Sequence, residues 1–168
     1  MKQNIVLIGM PTSGKSTVGV IVAKILGLDF VDADIVIQHN EGLKLSKIIE
    51  QRGVTGFLEC EEKALLSLDA CGAVIATGGS AVYSQKAMEK LSKKAAIVYL
   101  EVEKEELFRR LKDVKERGVV LSDGETLEDM YASRKKLYEK YADITVSEKN
   151  FTIEDTVWAV IECLKKYE

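Results

Sequence analysis

Residues 9 to 16 read Gly-Met-Pro-Thr-Ser-Gly-Lys-Ser, directly after the apolar run NIVLIG and directly before a segment of helical periodicity. The spacing fits the phosphate-loop pattern G-x-x-x-x-G-K-[ST], and a strand before it with a helix after it is the context that the pattern requires. Gly9 and Gly14 let the backbone curl so that successive N–H groups point at an anion, and the helix that follows adds the positive end of its dipole. Lys15 then reaches the β- and γ-phosphates of a nucleotide, the Ser16 hydroxyl is a candidate Mg²⁺ ligand, and Thr17 completes the nucleotide-binding set.

The rest of the chain repeats this strand-then-helix order. Short β-rich runs at 4–9, 29–34, 73–77, 95–102 and 143–146 alternate with helical patterns at 15–26, up to about 69, at 84–93 and at 104–112. Such alternation predicts βαβ units on a parallel sheet, an α/β fold. A last helix is expected with Thr152 as its N-cap and Asp155 three residues on, Val157, Val160, Ile161 and Leu164 on one face, and Trp158 packed beside that face. With 168 residues, 46% apolar and 30% charged, one domain spanning 1–168 is expected.

Two stretches break the alternation. Nearly forty residues of helical pattern separate the second and third strands, far more than a crossover needs, and 113–125 is polar and glycine-bearing, which suits a lid. The net charge of -3 with dispersed cations gives no basic patch for nucleic acid. The opening apolar run is too short for a membrane span, so a cytoplasmic protein is expected. Cys60, Cys71 and Cys163 form no C-x-x-C pair and are read as idle thiols; His39, the single histidine, is read as a solvated helix residue.

The third strand ends AVIATGG, without the acid that large ATP-driven machines place there, and the N-K-x-D guanine reader of GTPases is absent. The acids are instead Asp32 and Asp34, which in an extended segment share one face at the carboxyl edge of the sheet. There they can hold hydrated Mg²⁺ and orient an acceptor hydroxyl, although a strand end and a helix cap account for them equally well. Gly78-Gly79 at the same edge allows close approach to a ligand or makes a plain turn, and Arg109 to Arg117 fit a binding role or a solvated helix face.

GMPTSGKST, D-A-D at 32–34, TGGS at 77–80, Arg110 before the lid, Arg117 inside it and RKKLYEKYAD at 134–143 occur in this order, and together they resemble the shikimate kinase family over essentially the whole chain. The resemblance implies a P-loop kinase fold with a five-stranded parallel sheet flanked by helices, an acceptor-binding segment at about 34–62, and a mobile lid at about 113–124. It implies ATP as co-substrate, Mg²⁺ on Ser16 and Asp32, and transfer of the γ-phosphate to the 3-hydroxyl of shikimate, a step of aromatic amino-acid biosynthesis. In that scheme Asp34 orients the hydroxyl, Gly79 holds the acceptor by its backbone, and Arg110 stacks on adenine. Arg117 neutralises the transferring phosphoryl group, and Arg134 grips the carboxylate. A monomer is expected.

The departures cluster at the acceptor. Where the family usually reads G-E-x-x-F-R-x-x-E, residues 53–61 carry Val54 and Leu58 in place of the glutamate and arginine, while Glu61 stays. Ser80 replaces the third glycine of a G-G-G, Gly118 replaces a proline after Arg117, and Thr12 replaces a common glycine of the phosphate loop. Three outcomes stay open. Arg134, helped by Arg52 or Lys63, still captures shikimate; or the pocket takes another small hydroxylated acid or sugar acid; or the chain is a nucleotide-binding regulatory module without acceptor chemistry.

Overall fold

The computed structural model describes residues 3–112, 119–147 and 152–167. Five strands, β1 (Asn4–Ile8), β2 (Asp29–Asp32), β3 (Ala73–Ala76), β4 (Ala95–Glu101) and β5 (Ile144–Ser147), form one sheet in the order β2-β3-β1-β4-β5, every neighbouring pair parallel. Around it lie α1 (Lys15–Leu26), α2 (Ala33–Glu41), α3 (Leu45–Ser67), α4 (Gln85–Lys94), α5 (Lys104–Lys112), α6 (Leu127–Tyr141) and α7 (Ile153–Tyr167). The expected α/β class and five-stranded parallel sheet are both present.

Because successive strand residues point to opposite faces, β1 is buried on both. Ile5 and Leu7 pack with Val18 and Val22 of α1 and Val157, Val160 and Ile161 of α7. Val6 and Ile8 pack on the other side with Met88 of α4, Leu107 of α5 and Met130 and Tyr138 of α6. The helices that follow β1 and β3 therefore lie on opposite faces, and their loops part at the carboxyl edge, where open α/β sheets bind ligands.

Local chemistry sets the boundaries. The fifth strand starts at Ile144, one residue later than its sequence suggests, because the Asp143 carboxylate accepts the Ile97 N–H at 2.8 Å while the Asp143 N–H donates to the Ile97 carbonyl at 2.9 Å. Thr152 and Asp155 form the expected reciprocal cap on α7. Trp158 does not pack as expected: it is 50% exposed, since one residue beyond Val157 it is rotated about 100° off the buried stripe.

The extra length between β2 and β3 is α2 and α3, which enclose a small apolar cluster of their own around Ile37, Ile48, Phe57, Cys60 and Ala64. Helix α3 turns sharply at Gly53, whose φ of 67° and ψ of -177° are far from helical and open to glycine. Cys60 is buried, Cys71 exposed and Cys163 intermediate, all reduced, and His39 is exposed on α2. No helix among the described residues is long and apolar enough to cross a membrane.

Candidate active site

A cavity of about 490 Å³ opens at the carboxyl edge, and Gly14, Lys15, Ser16, Thr17, Asp34, Gly79, Arg110 and Arg134 all line it. The phosphate loop forms its floor. Lys15 is buried, with its ammonium donating to the carbonyls of Gly9 at 2.9 Å and Met10 at 2.7 Å and to Ser13 Oγ at 3.3 Å. Gly14 stands at the N-terminus of α1 in a left-handed conformation. Thr12 also has a positive φ, 64°, and its buried hydroxyl has no hydrogen-bond partner among the described residues.

The two acids are arranged differently from the expected extended pair. The strand stops at Asp32, whose Oδ1 caps α2 by accepting the Asp34 N–H at 2.9 Å, so Asp34 lies in the first helical turn. An aspartate suits both a strand end and a helix N-cap, and the cap prevails because α2 begins at once. The other Asp32 oxygen accepts from Ser16 Oγ at 2.6 Å. Burial, then the negative charge of Asp32, raises the pKa of Asp34 above the ordinary carboxylate value, with Lys15 acting the other way.

Arginines close the opposite side. Arg110 of α5 donates to Glu106 Oε1 at 2.7 Å and to the Thr12 carbonyl at 3.1 Å, fastening α5 to the phosphate loop. Arg109 also lines the cavity and donates twice to Glu106, at 2.8 and 2.7 Å. Hydrogen bonds from Arg109 and Arg110 hold the Glu106 carboxyl down at about 2. Arg117 and Gly118 lie outside the described residues, as does 113–118 of the expected lid; Val119 and Val120, beyond them, line the cavity.

The acceptor end is built around Arg134, which is 1% exposed. Its Nε donates to the Tyr83 hydroxyl at 3.2 Å, an Nη donates to the Val120 carbonyl, and the guanidinium lies 5.3 Å from the centre of the Tyr83 ring. Gly79 touches the same group: a methyl on its Cα would come within 2.8 Å of Pro11 and 3.1 Å of Arg134 Nη1, so no larger residue fits. The Gly79 carbonyl accepts from the Tyr138 hydroxyl at 2.6 Å. Tyr138 stands one turn beyond Arg134 in RKKLY, an i, i+4 spacing that could have signalled a shared face.

The departures are now spatial. Val54 and Leu58 pack together against the small cluster of α2 and α3. Arg52 does not replace the missing cation: it pairs with Glu41 at 2.6 Å, donates to Cys60 Sγ at 3.1 Å and is not part of the cavity wall. Lys63 is exposed and likewise outside that wall. Ser80 donates to Glu61 Oε2 at 2.6 Å, and both residues line the cavity.

A strand, phosphate loop and helix placed at the divergence of two crossovers, with carboxylates and arginines lining the same cavity, define an ATP-dependent phosphotransferase of the P-loop type. A family model described as shikimate kinase matches residues 11–165. The shikimate kinase of Actinobacillus pleuropneumoniae serotype 5b is 38% identical over 148 residues, covering 86% of each chain. That of Buchnera aphidicola is 33% identical over 171 residues, 99% of this chain and 98% of its own. Among solved structures, shikimate kinase from Acinetobacter baumannii in complex with shikimate superposes with a TM-score of 0.90 at 28% identity, covering 99% of this chain and 94% of that one. The chain belongs to the shikimate kinase family.

Proposed function

We propose that this protein transfers the γ-phosphoryl group of ATP to the 3-hydroxyl of shikimate, within aromatic amino-acid biosynthesis. The observation that carries the assignment is Arg134, a buried guanidinium in the same cavity as Asp34 and the phosphate loop. A planar fork held away from water suits a carboxylate, and it stands opposite the carboxyl group that would orient the reacting hydroxyl. Lys15 would leave its loop carbonyls for the β- and γ-phosphates, and Asp34, made more basic by burial, would orient the acceptor hydroxyl and take its proton. Gly79 would hold the acceptor through its backbone, Arg110 would stack on adenine, and Arg117 would neutralise charge on the moving phosphoryl group.

The Ser16 hydroxyl and the Asp32 carboxylate, 2.6 Å apart, are hard oxygen donors beside the phosphate loop and fit Mg²⁺. When bound it supplies positive charge against the phosphate oxygens. On this reading the chain is one domain with an acceptor segment at 34–62 and a lid at 113–124, working as a cytoplasmic monomer.

The test is ADP release with ATP and Mg²⁺, with and without shikimate. A large shikimate-dependent rate that Lys15→Ala abolishes is expected; no stimulation in a protein that still binds ATP would refute the assignment. A second reading, the same transfer to another small hydroxylated acid, is favoured by the apolar packing of Val54 and Leu58 where the family usually has a glutamate and an arginine. Turnover across a panel of hydroxy acids and sugar acids separates the two. Tight ATP binding with no turnover on any acceptor would instead identify a regulatory module.

A further inference from the structure

One polar atom at the acceptor end has no partner. Glu61 is 2% exposed; its Oε2 accepts from Ser80 at 2.6 Å, while its Oε1 is buried without a hydrogen-bond partner among the described residues. That oxygen lies against Gly78, where a methyl group would collide with it and would stand 3.1 Å from Asp34 Oδ1. The free oxygen of Glu61 and the carboxylate of Asp34 therefore both lie beside Gly78, and all three residues line the same cavity.

Leu58 offers that atom no donor. In place of a long cation, leucine turns into the apolar cluster and leaves a side cavity of about 190 Å³ bounded by Leu58, Glu61, Glu62, Ser80 and Tyr83. Ser80, which replaces a glycine, contributes the hydroxyl that ties Glu61 to the main cavity. A buried carboxyl oxygen left without a donor is costly, and a ligand that donates to it recovers that energy.

We propose that Glu61 binds the acceptor directly in this protein, its Oε1 accepting a hydrogen bond from the hydroxyl next to the one that Asp34 orients, with Ser80 as the residue that positions it. The inference rests on the shikimate reading and narrows it. The acceptor is gripped by its carboxylate at Arg134 and by a vicinal pair of hydroxyls spanning Asp34 and Glu61, so a hydroxy acid lacking the second hydroxyl is disfavoured.

The experiment is steady-state kinetics of the full chain with ATP and two acceptors, shikimate and its analogue lacking the 4-hydroxyl, for wild type, Glu61→Gln and Ser80→Ala. Glutamine keeps the bond from Ser80 through its amide oxygen and turns the free position from an acceptor into a donor. Glu61→Gln is expected to raise KM for shikimate about 10- to 100-fold and to leave KM for ATP and the analogue's kcat/KM unchanged. Ser80→Ala, which releases Glu61, is expected to shift the same parameter about three- to tenfold. Equal losses on both acceptors, or losses that follow a fall in Tm, would mean that Glu61 acts through packing alone and would overturn the proposal. A wild type that phosphorylates neither acceptor refutes the shikimate reading and this role with it, an outcome visible before any variant is made.

Discussion

The buried carboxyl of Glu61 makes a prediction about folding that is independent of any substrate. Burial raises its pKa from 4.5 to about 7; Asp34 pushes in the same direction, and the bond from Ser80 with the charges of Arg134 and Lys15 opposes it. The folded protein therefore holds this proton at pH values where the unfolded chain has released it. The linked stability is fully present below 4.5, is lost as pH rises through about 7, and is absent above. The interval corresponds to about 3 kcal/mol, most of which falls between pH 5 and pH 8.

Glu61→Gln removes the titration and keeps the shape. Urea unfolding of wild type and variant, followed by circular dichroism at several pH values from 5 to 8, gives two stability curves whose difference isolates this residue. Asp129, Asp155 and Glu162, lowered by hydrogen bonds from Thr126, Thr152 and Lys165, contribute to both curves and cancel. The wild type should lose about 2–3 kcal/mol relative to the variant across that range. A difference that stays flat within about 0.5 kcal/mol would refute the reasoning, because a carboxyl with an ordinary pKa gives no slope in this window.

Thr12→Gly should stabilise the protein by about 1–2 kcal/mol, since it relieves a β-branched residue at positive φ and removes a buried unpaired hydroxyl, against a smaller entropic loss from the added glycine; denaturant midpoints check it. Arg134→Lys should raise KM for shikimate by at least about thirtyfold with KM for ATP little changed, because a point charge cannot reproduce a bidentate fork. Tyr99→Phe should be neutral or stabilising by up to about 1 kcal/mol, because the buried Tyr99 hydroxyl has no partner among the described residues while its ring stacks on Tyr138 at 5.0 Å; thermal unfolding would show a clear loss if that hydroxyl were bonded.

What the sequence reveals follows the range of the forces involved. The phosphate loop is legible because its chemistry depends on spacing within eight residues, and the sheet is legible because buried parallel strands are continuous apolar runs. The turn from strand to helix inside DFVDAD is not legible, since aspartate serves a strand end and an N-cap equally well and only the start of α2 decides between them. Arg52 looks in sequence like a spare cation for the acceptor; its pairing with Glu41 depends on how α2 packs against α3, which no local pattern encodes.

The departures at 58 and 80 look unrelated along the chain, twenty-two positions apart, yet both bear on Glu61. Leu58, where the family usually has an arginine, offers the buried carboxyl group of Glu61 neither charge nor donor. Ser80 returns one donor, and a hydroxyl can satisfy only one carboxylate oxygen. The other oxygen stays buried beside Asp34, and protonation or an acceptor hydroxyl is what remains to satisfy it. The raised pKa and the proposed contact with substrate thus both follow from a buried carboxyl with a single donor, and a cation added beside it with Leu58→Arg should lower the Glu61 pKa and weaken the dependence on the 4-hydroxyl in the same protein.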